Sequence, residues 1–138
     1  MKNIYNDKIC YADTDAYGVV WHGTYLRLME KGRVLFCDEL GLDLVELMAN
    51  DIAIPVANIN IRYKSPAVLN EYIKVETTVC KVTPLAVTFH QIISNTESGQ
   101  IHTDAEVIVV CVNNSGKLYR RLPEELAKIF NEGIVCND

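Results

Sequence analysis

One helix-length segment, Thr24 to Glu39, stands among segments whose apolar residues recur at every second position, and that contrast limits the folds open to this chain. Within it Tyr25, Leu28, Met29, Gly32, Leu35, Phe36 and Leu40 follow the i, i+3, i+4, i+7 spacing of one buried helix face, and Gly41 ends the pattern. Arg27, Glu30, Lys31, Arg33, Asp38 and Glu39 mostly line the other side. Gly32 falls on the apolar face, where a missing side chain lets another backbone come close. A second short helix is expected over Leu42–Asn50. The period then switches to two. Ile52–Lys64 sets Ala57, Ile59, Ile61 and Tyr63 on one face, and Glu71–Val82 does the same with Ile73, Val75, Thr77 and Val79. Ala86–Ser94 and Ile101–Val112 continue the series, and Ile4–Ala12 reads as a strand ahead of the helix. Pro123 opens a final helix, Glu124–Asn131. The reading is an α+β domain, residues 1–138, with an antiparallel sheet of about five strands wrapped around one long central helix.

Composition excludes several classes. A chain of 138 residues is long enough for one sizeable core but not for two. The net charge of -5 argues against nucleic acid as a partner, since phosphate binding wants a basic face. No run reaches the ~18–20 apolar residues of a membrane helix, and Met1–Lys8 lacks the apolar core of a signal peptide. The expected location is therefore the cytoplasm, with no membrane partner. The five cysteines (Cys10, Cys37, Cys80, Cys111 and Cys136) form no C-x-x-C pair and are read as reduced thiols in apolar settings. Without paired ligands at i, i+4, no metal is expected. G-x-S-x-G, P-loop and G-x-G-x-x-G patterns are all missing.

The chemistry concentrates just before the long helix. Asp13-Thr14-Asp15-Ala16-Tyr17-Gly18-Val19-Val20-Trp21-His22-Gly23-Thr24-Tyr25 brings carboxylates, a histidine and aromatic residues to a helix N-terminus. There the first backbone N–H groups lack intrahelical partners and can hold an anion or a polarised carbonyl. A carboxylate beside such donors is the raw material of acyl transfer. The segment Thr14-Asp15-Ala16-Tyr17-Gly18-Val19-Val20-Trp21-His22 also resembles the T-D-x-x-G-V-V-(aromatic)-H signature of the 4-hydroxybenzoyl-CoA thioesterase family. The similarity is strongest to the short bacterial acyl-CoA thioesterases of that hotdog-fold group, and its layout extends over nearly the whole chain.

The resemblance implies a hotdog fold and hydrolysis of an acyl-CoA thioester, with Asp15 as nucleophile or general base. No cofactor is implied, coenzyme A being part of the substrate. His22 matches a histidine that polarises the thioester carbonyl or orients water. The N–H groups of Gly23, Thr24 and Tyr25 match the oxyanion contact, and Gly18 shapes the loop. Tyr17, Trp21 and Tyr25 are candidates for the acyl pocket, although large aromatic residues at that spacing also serve as plain core. Arg62, Lys64, Lys81, Arg120 and Arg121 are candidates for the coenzyme A phosphates, against the ordinary reading of solvated surface. Against these roles stand the plainer ones, a turn or cap residue for Asp15 and a histidine satisfied by backbone for His22. Asp13, His90 and His102 are given no functional role. Thr24, Lys8 and Tyr17 depart from the family pattern; Tyr17 bears on which acyl group fits. A homodimer or homotetramer is expected, because a sheet curled on one helix leaves long edges. The rival readings are an acyl-thioester-binding hotdog protein without activity, a hydrolase of acyl-carrier-protein thioesters, and a hydratase or dehydratase.

Overall fold

The structure, a computed structural model, describes residues 1–134. Five strands form one antiparallel sheet: β1 (Lys2–Lys8), β2 (Val56–Tyr63), β3 (Tyr72–Val82), β4 (Val87–Asn95) and β5 (Ile101–Val109), in the order β1-β3-β4-β5-β2. Helix α1 (Thr24–Glu39) lies against the concave face and is followed by the short α2 (Leu44–Ala49); α3 (Glu124–Glu132) comes last. This is the hotdog arrangement implied by the motif.

Side-chain alternation decides which face the helix meets. Ile73, Val75, Thr77 and Val79 of β3, Phe89, Gln91 and Ile93 of β4, and Ala105 and Val107 of β5 are all buried on that face. Against them α1 sets Leu28, Met29 and Phe36, also buried. Phe89 links α1 to α3, meeting Phe36 at 5.6 Å and Phe130 at 6.0 Å between ring centroids, both edge to face. Such pairs contribute about 0.5–1.5 kcal/mol each beyond their buried area.

Gly32 does sit on the buried face, but side chains rather than a backbone fill the space above it. A Cβ there would lie 2.6 Å from Thr77 Oγ1 and 2.9 Å from Gln91 Nε2. Gln91 is fully buried and well satisfied: its amide donates to Thr77 Oγ1 and to the Met29 carbonyl, both at 2.8 Å. Its Oε1 accepts from Arg33 Nη1 at 2.9 Å. Arg33 is thus drawn under the helix rather than pointing to solvent with its charged neighbours, because the Gln91 oxygen would otherwise be buried alone.

Strand limits differ from the periodic reading in three places. β1 ends at Lys8, where its partner β3 begins at Tyr72. Cys10 N–H then donates to Asp13 Oδ2 at 2.9 Å and the chain turns through a 3₁₀ segment, leaving Tyr11 82% exposed. Within β1 the inward residues are Asn3 and Tyr5, while Ile4 faces out. β2 starts only after Pro55, which has no N–H for the ladder. β5 stops at Val109, beyond which Val110 N–H turns to the Pro55 carbonyl and Val112 forms isolated bridges with Ala53 and Leu118. Asp43 caps α2 through Oδ1, which accepts from Val45 and Glu46 N–H.

Candidate active site

The motif folds as a tight hairpin that delivers its residues to the start of α1. Asp15 N–H donates to the Val19 carbonyl at 2.8 Å, Gly18 N–H returns to the Asp15 carbonyl at 3.1 Å, and Gly18 takes a φ of 78°. That backbone conformation suits glycine. Asp15 Oδ1 accepts from Tyr17 N–H at 2.8 Å, so the carboxylate shapes its own turn. Its second oxygen has no hydrogen-bond partner among the described residues.

Asp13 has a larger structural part than its sequence position suggests. Its Oδ1 accepts from Arg27 Nη2 at 2.7 Å, and its carbonyl accepts from Trp21 N–H and the Thr24 hydroxyl. Asp13 therefore pins the entrance of the helix to the hairpin. Val20, the inward residue of the Val19-Val20-Trp21 run, is buried, whereas Trp21 lies half-exposed with its ring over Gly23. A Cβ at Gly23 would meet that ring at 2.5 Å.

A cleft of about 330 Å³ opens beside this hairpin, lined by Asp15, Val19, Val20, His22, Tyr25, Tyr63, Lys64, Ser65 and Pro66. Asp15, His22 and Tyr25 of the motif thus meet Lys64 from the end of β2, two separate parts of the chain. His22 is exposed, and its carbonyl is held by the Tyr63 hydroxyl at 3.0 Å. Its ring nitrogens have no hydrogen-bond partner among the described residues. Tyr25 stands edge-on to Tyr63, with ring centroids 5.7 Å apart, and its hydroxyl oxygen accepts from Ala67 N–H at 3.1 Å. Burial raises the Tyr25 pKa above the usual phenol value, against the opposing pull of that N–H bond, and nearby Glu71 and Tyr63 raise it further. The hydroxyl therefore keeps its proton.

Of the three helix-entrance N–H groups, Thr24 donates to the Trp21 carbonyl at 2.9 Å and is already used. Those of Gly23 and Tyr25 have no partner among the described residues. Tyr17 is 90% exposed and, like Gly18 and Trp21, stands outside the cleft lining, so it does not narrow the pocket within one chain.

The basic candidates separate by strand geometry. Lys64 lines the cleft, whereas Arg62 lies on the opposite sheet face beside Asn60, His90, Asp104 and Glu106. Lys81 pairs with Thr88 at the far end of β3. Arg120 and Arg121 lie between Tyr119, bonded to Cys111, and Leu122, bonded to Pro84, at that same far end. Strand rise puts it roughly 25 Å from the cleft. Within one chain only Lys64 of the five stands at the site. Cys37 and Cys111 are buried, which pushes both thiols up to about 11, while Cys10 and Cys80 are exposed and Cys136 lies outside the described residues. Among the described residues no cluster of His, Cys, Asp or Glu could hold a metal ion, and no helix is long and apolar enough to cross a membrane.

The profile of the thioesterase-like superfamily matches residues 11–130, from the turn before the hairpin into α3. The chain belongs to the thioesterase-like superfamily. Among its relatives is the acyl-CoA thioester hydrolase YbgC of Escherichia coli O6:H1, 30% identical over 125 residues, covering 91% of this chain and 92% of that one. The long-chain acyl-CoA thioesterase FadM of Escherichia coli K12 is 32% identical over 101 residues, covering 72% of this chain and 74% of its own. Among solved structures, a DHNA-CoA thioesterase from Staphylococcus aureus superposes with a TM-score of 0.87 at 27% identity, over 95% of this chain and 89% of that one. The matched span contains every cleft residue, so the superfamily assignment and the geometry concern the same part of the molecule.

Proposed function

We propose that this chain is an acyl-CoA thioesterase in which Asp15 drives the attack on the thioester carbon. The observation that carries the reading is the half-buried Asp15 carboxylate sharing one cleft with His22, Tyr25 and Lys64 at the N-terminus of α1. The superfamily assignment and the acyl-CoA hydrolases among the relatives support the reaction class.

In this mechanism the thioester carbonyl oxygen sits against the free N–H groups of Gly23 and Tyr25, at the positive end of the helix dipole. The Tyr25 hydroxyl, which retains its proton while its oxygen accepts from Ala67 N–H, is a separate donor further along the cleft wall. Asp15 either takes a proton from water as it attacks or attacks itself. In the first route the tetrahedral intermediate collapses directly to acid and coenzyme A thiolate. In the second a mixed anhydride forms on Asp15, the thiolate leaves, and water then cleaves the anhydride. His22 orients the water or polarises the carbonyl, and Lys64 offers its charge to a coenzyme A phosphate. The acyl group is aromatic or aliphatic of short to medium length, and the FadM relative adds long chains to the panel to be tested.

The reading includes a homo-oligomer. β2 is an edge strand whose Val56 and Tyr63 are 41% and 49% exposed, and α1 leaves Leu26 and Val34 partly uncovered beside it. Edge pairing between two copies covers both, and it would bring basic residues of one copy toward the cleft of the other.

Thiol release from aliphatic and aromatic acyl-CoAs tests the chemistry. Asp15→Asn is expected to lose ~10²-fold or more in kcat, the range for removing a general base. Turnover that survives the change would move the chemistry to another group. A single turnover in ¹⁸O-water then follows the oxygen: direct attack by water labels the product acid and leaves Asp15 unlabelled, whereas an anhydride cleaved at the Asp15 carbonyl gives an unlabelled first product and places the label in the Asp15 carboxylate.

A further inference from the structure

A buried histidine–glutamate pair stands behind the wall of the cleft. His102 begins β5 on the outer face of the sheet, yet it is 1% exposed, because the chain between β2 and β3 folds across it. Its Nε2 lies 2.5 Å from Glu71 Oε1, and its Nδ1 lies 3.1 Å from the Ser65 carbonyl and 3.0 Å from Ser65 Oγ. Glu71 also accepts from Asn95 Nδ2 at 2.7 Å and from Val68 N–H at 2.8 Å.

Serine, histidine and glutamate in series suggest a nucleophile relay, but the hydrogen bonds exclude it. A carbonyl only accepts, so Nδ1 facing the Ser65 carbonyl must carry a proton. The Ser65 hydroxyl donates instead to the Ile101 carbonyl at 2.8 Å. His102 therefore has no lone pair with which to take a proton from Ser65. Burial alone would raise the Glu71 carboxyl, but the bonds from Asn95, Val68 and His102, with the charge on His102, outweigh it and hold it below the ordinary value. Glu71 is the carboxylate of the pair, and His102 Nε2 is the ring atom set against it.

The consequence of this pair lies on the other side of the segment it holds. The His102 carbonyl accepts from Lys64 N–H at 2.8 Å, and two residues after Ser65 the Ala67 carbonyl accepts from Val20 N–H at 2.9 Å. Ala67 N–H reaches Tyr25, and Val68 bridges to Val19. The stretch 64–68 is thus bonded to the pair on one side and to the Asp15 hairpin on the other.

We propose that Glu71 and His102 are positioning residues of the thioesterase site, holding Lys64, Ser65 and Ala67 at the separation from Asp15 and Tyr25 that productive binding requires. This inference rests on the cleft being the reactive site. A shift of about 1 Å in such a wall is enough to cost ~10²-fold in rate.

The test compares His102→Leu, His102→Gln and Glu71→Gln with His90→Gln, which replaces the imidazole of the His90–Asp104 pair (2.7 Å) on the outer sheet face. Each variant is assayed for kcat and KM on the best acyl-CoA, well below its melting temperature, with amide exchange followed at Val20 and Ala67. The expected result is a loss of ~10-fold or more in kcat/KM for His102→Leu and Glu71→Gln, with faster exchange at Val20 and Ala67. His102→Gln, whose amide can still donate to Glu71, recovers most of the activity, and His90→Gln matches the wild type. Folded His102→Leu and Glu71→Gln variants with wild-type kcat and KM overturn the proposal, as does an equal loss in His90→Gln. If the wild type hydrolyses no CoA thioester, the functional reading fails on its own. The exchange comparison still decides then: unchanged protection at Val20 and Ala67 overturns the positioning role.

Discussion

At Gly32 the requirement is for the absence of a side chain, and its magnitude can be weighed. Alanine would gain about 1 kcal/mol of helix propensity over glycine. Its Cβ, however, would press on the Thr77 hydroxyl and the Gln91 amide, both fully buried and hydrogen-bonded to each other. Overpacking of this kind costs about 1–3 kcal/mol. Gly32→Ala is therefore expected to lower the urea midpoint, and an unchanged or higher midpoint would mean that the Thr77–Gln91 pair yields easily. The glycine is legible in the sequence because it interrupts an apolar face. Its partners are not, since a polar Gln91 on an otherwise apolar strand face carries no local mark of what lies opposite. The same limit applies to Asp15 and His22. Their proximity to the helix start can be read from the motif, but the arrival of Tyr63, Lys64 and Ser65 beside them depends on the β2–β5 register. His102 is opaque for the converse reason: a lone histidine in a strand carries no sign that a distant carboxylate will cover it.

Among the elements, α1 reads most clearly, its limits agreeing with the periodicity because Gly41, at a φ of 80°, terminates it. The strands read well in phase and less well in length. Pairing stops where the partner stops, and that information is non-local, as the early end of β1 and the late start of β2 illustrate. The connection between β2 and β3 looks like an ordinary turn at Ser65-Pro66-Ala67, yet it carries the largely buried Glu71 carboxylate. The sign of its pH dependence follows from Glu71, whose carboxyl is held below its ordinary value in the folded chain. A depressed carboxyl contributes stability that is fully present above its unfolded pKa and is lost as pH falls through the folded one. Thermal midpoints are therefore expected to drop on acidification from the ordinary glutamate value of 4.5 downward. Glu71→Gln should flatten that decline while lowering the midpoint at neutral pH. A wild type and variant with parallel acid profiles would show that Glu71 is not the group responsible.

For the whole molecule, the sheet has two edges, β1 and β2, and they differ in what lies beside them. Met1 at the head of β1 ties back to the Gly133 carbonyl at 3.1 Å, close to α3. β2 has Leu26 and Val34 of α1 nearby and much of its own apolar surface uncovered. Light scattering is expected to return a mass at least twice the 15.5 kDa of one chain, and a stable monomer would contradict association through β2. This scale is also where the sequence says least about the candidate coenzyme A contacts. Arg62, Lys81 and Arg120 lie at strand ends in the sequence, but the sheet has two ends and two faces, and only Lys64 shares an end and a face with Asp15.

One consequence follows from the placement of Trp21. It is the chain's only tryptophan, and its ring rests on Gly23 at the helix entrance, 5.2 Å between centroids from the His22 ring. Half-exposed, it meets solvent on one side and the start of α1 on the other. Light absorbed at the red edge of the near ultraviolet is therefore taken up at a single position, and that position adjoins the Asp15 hairpin. The molecule carries its own optical gauge: the colour and yield of its emission follow the surroundings of the helix entrance, with no dye attached and no second emitter of the same kind to subtract.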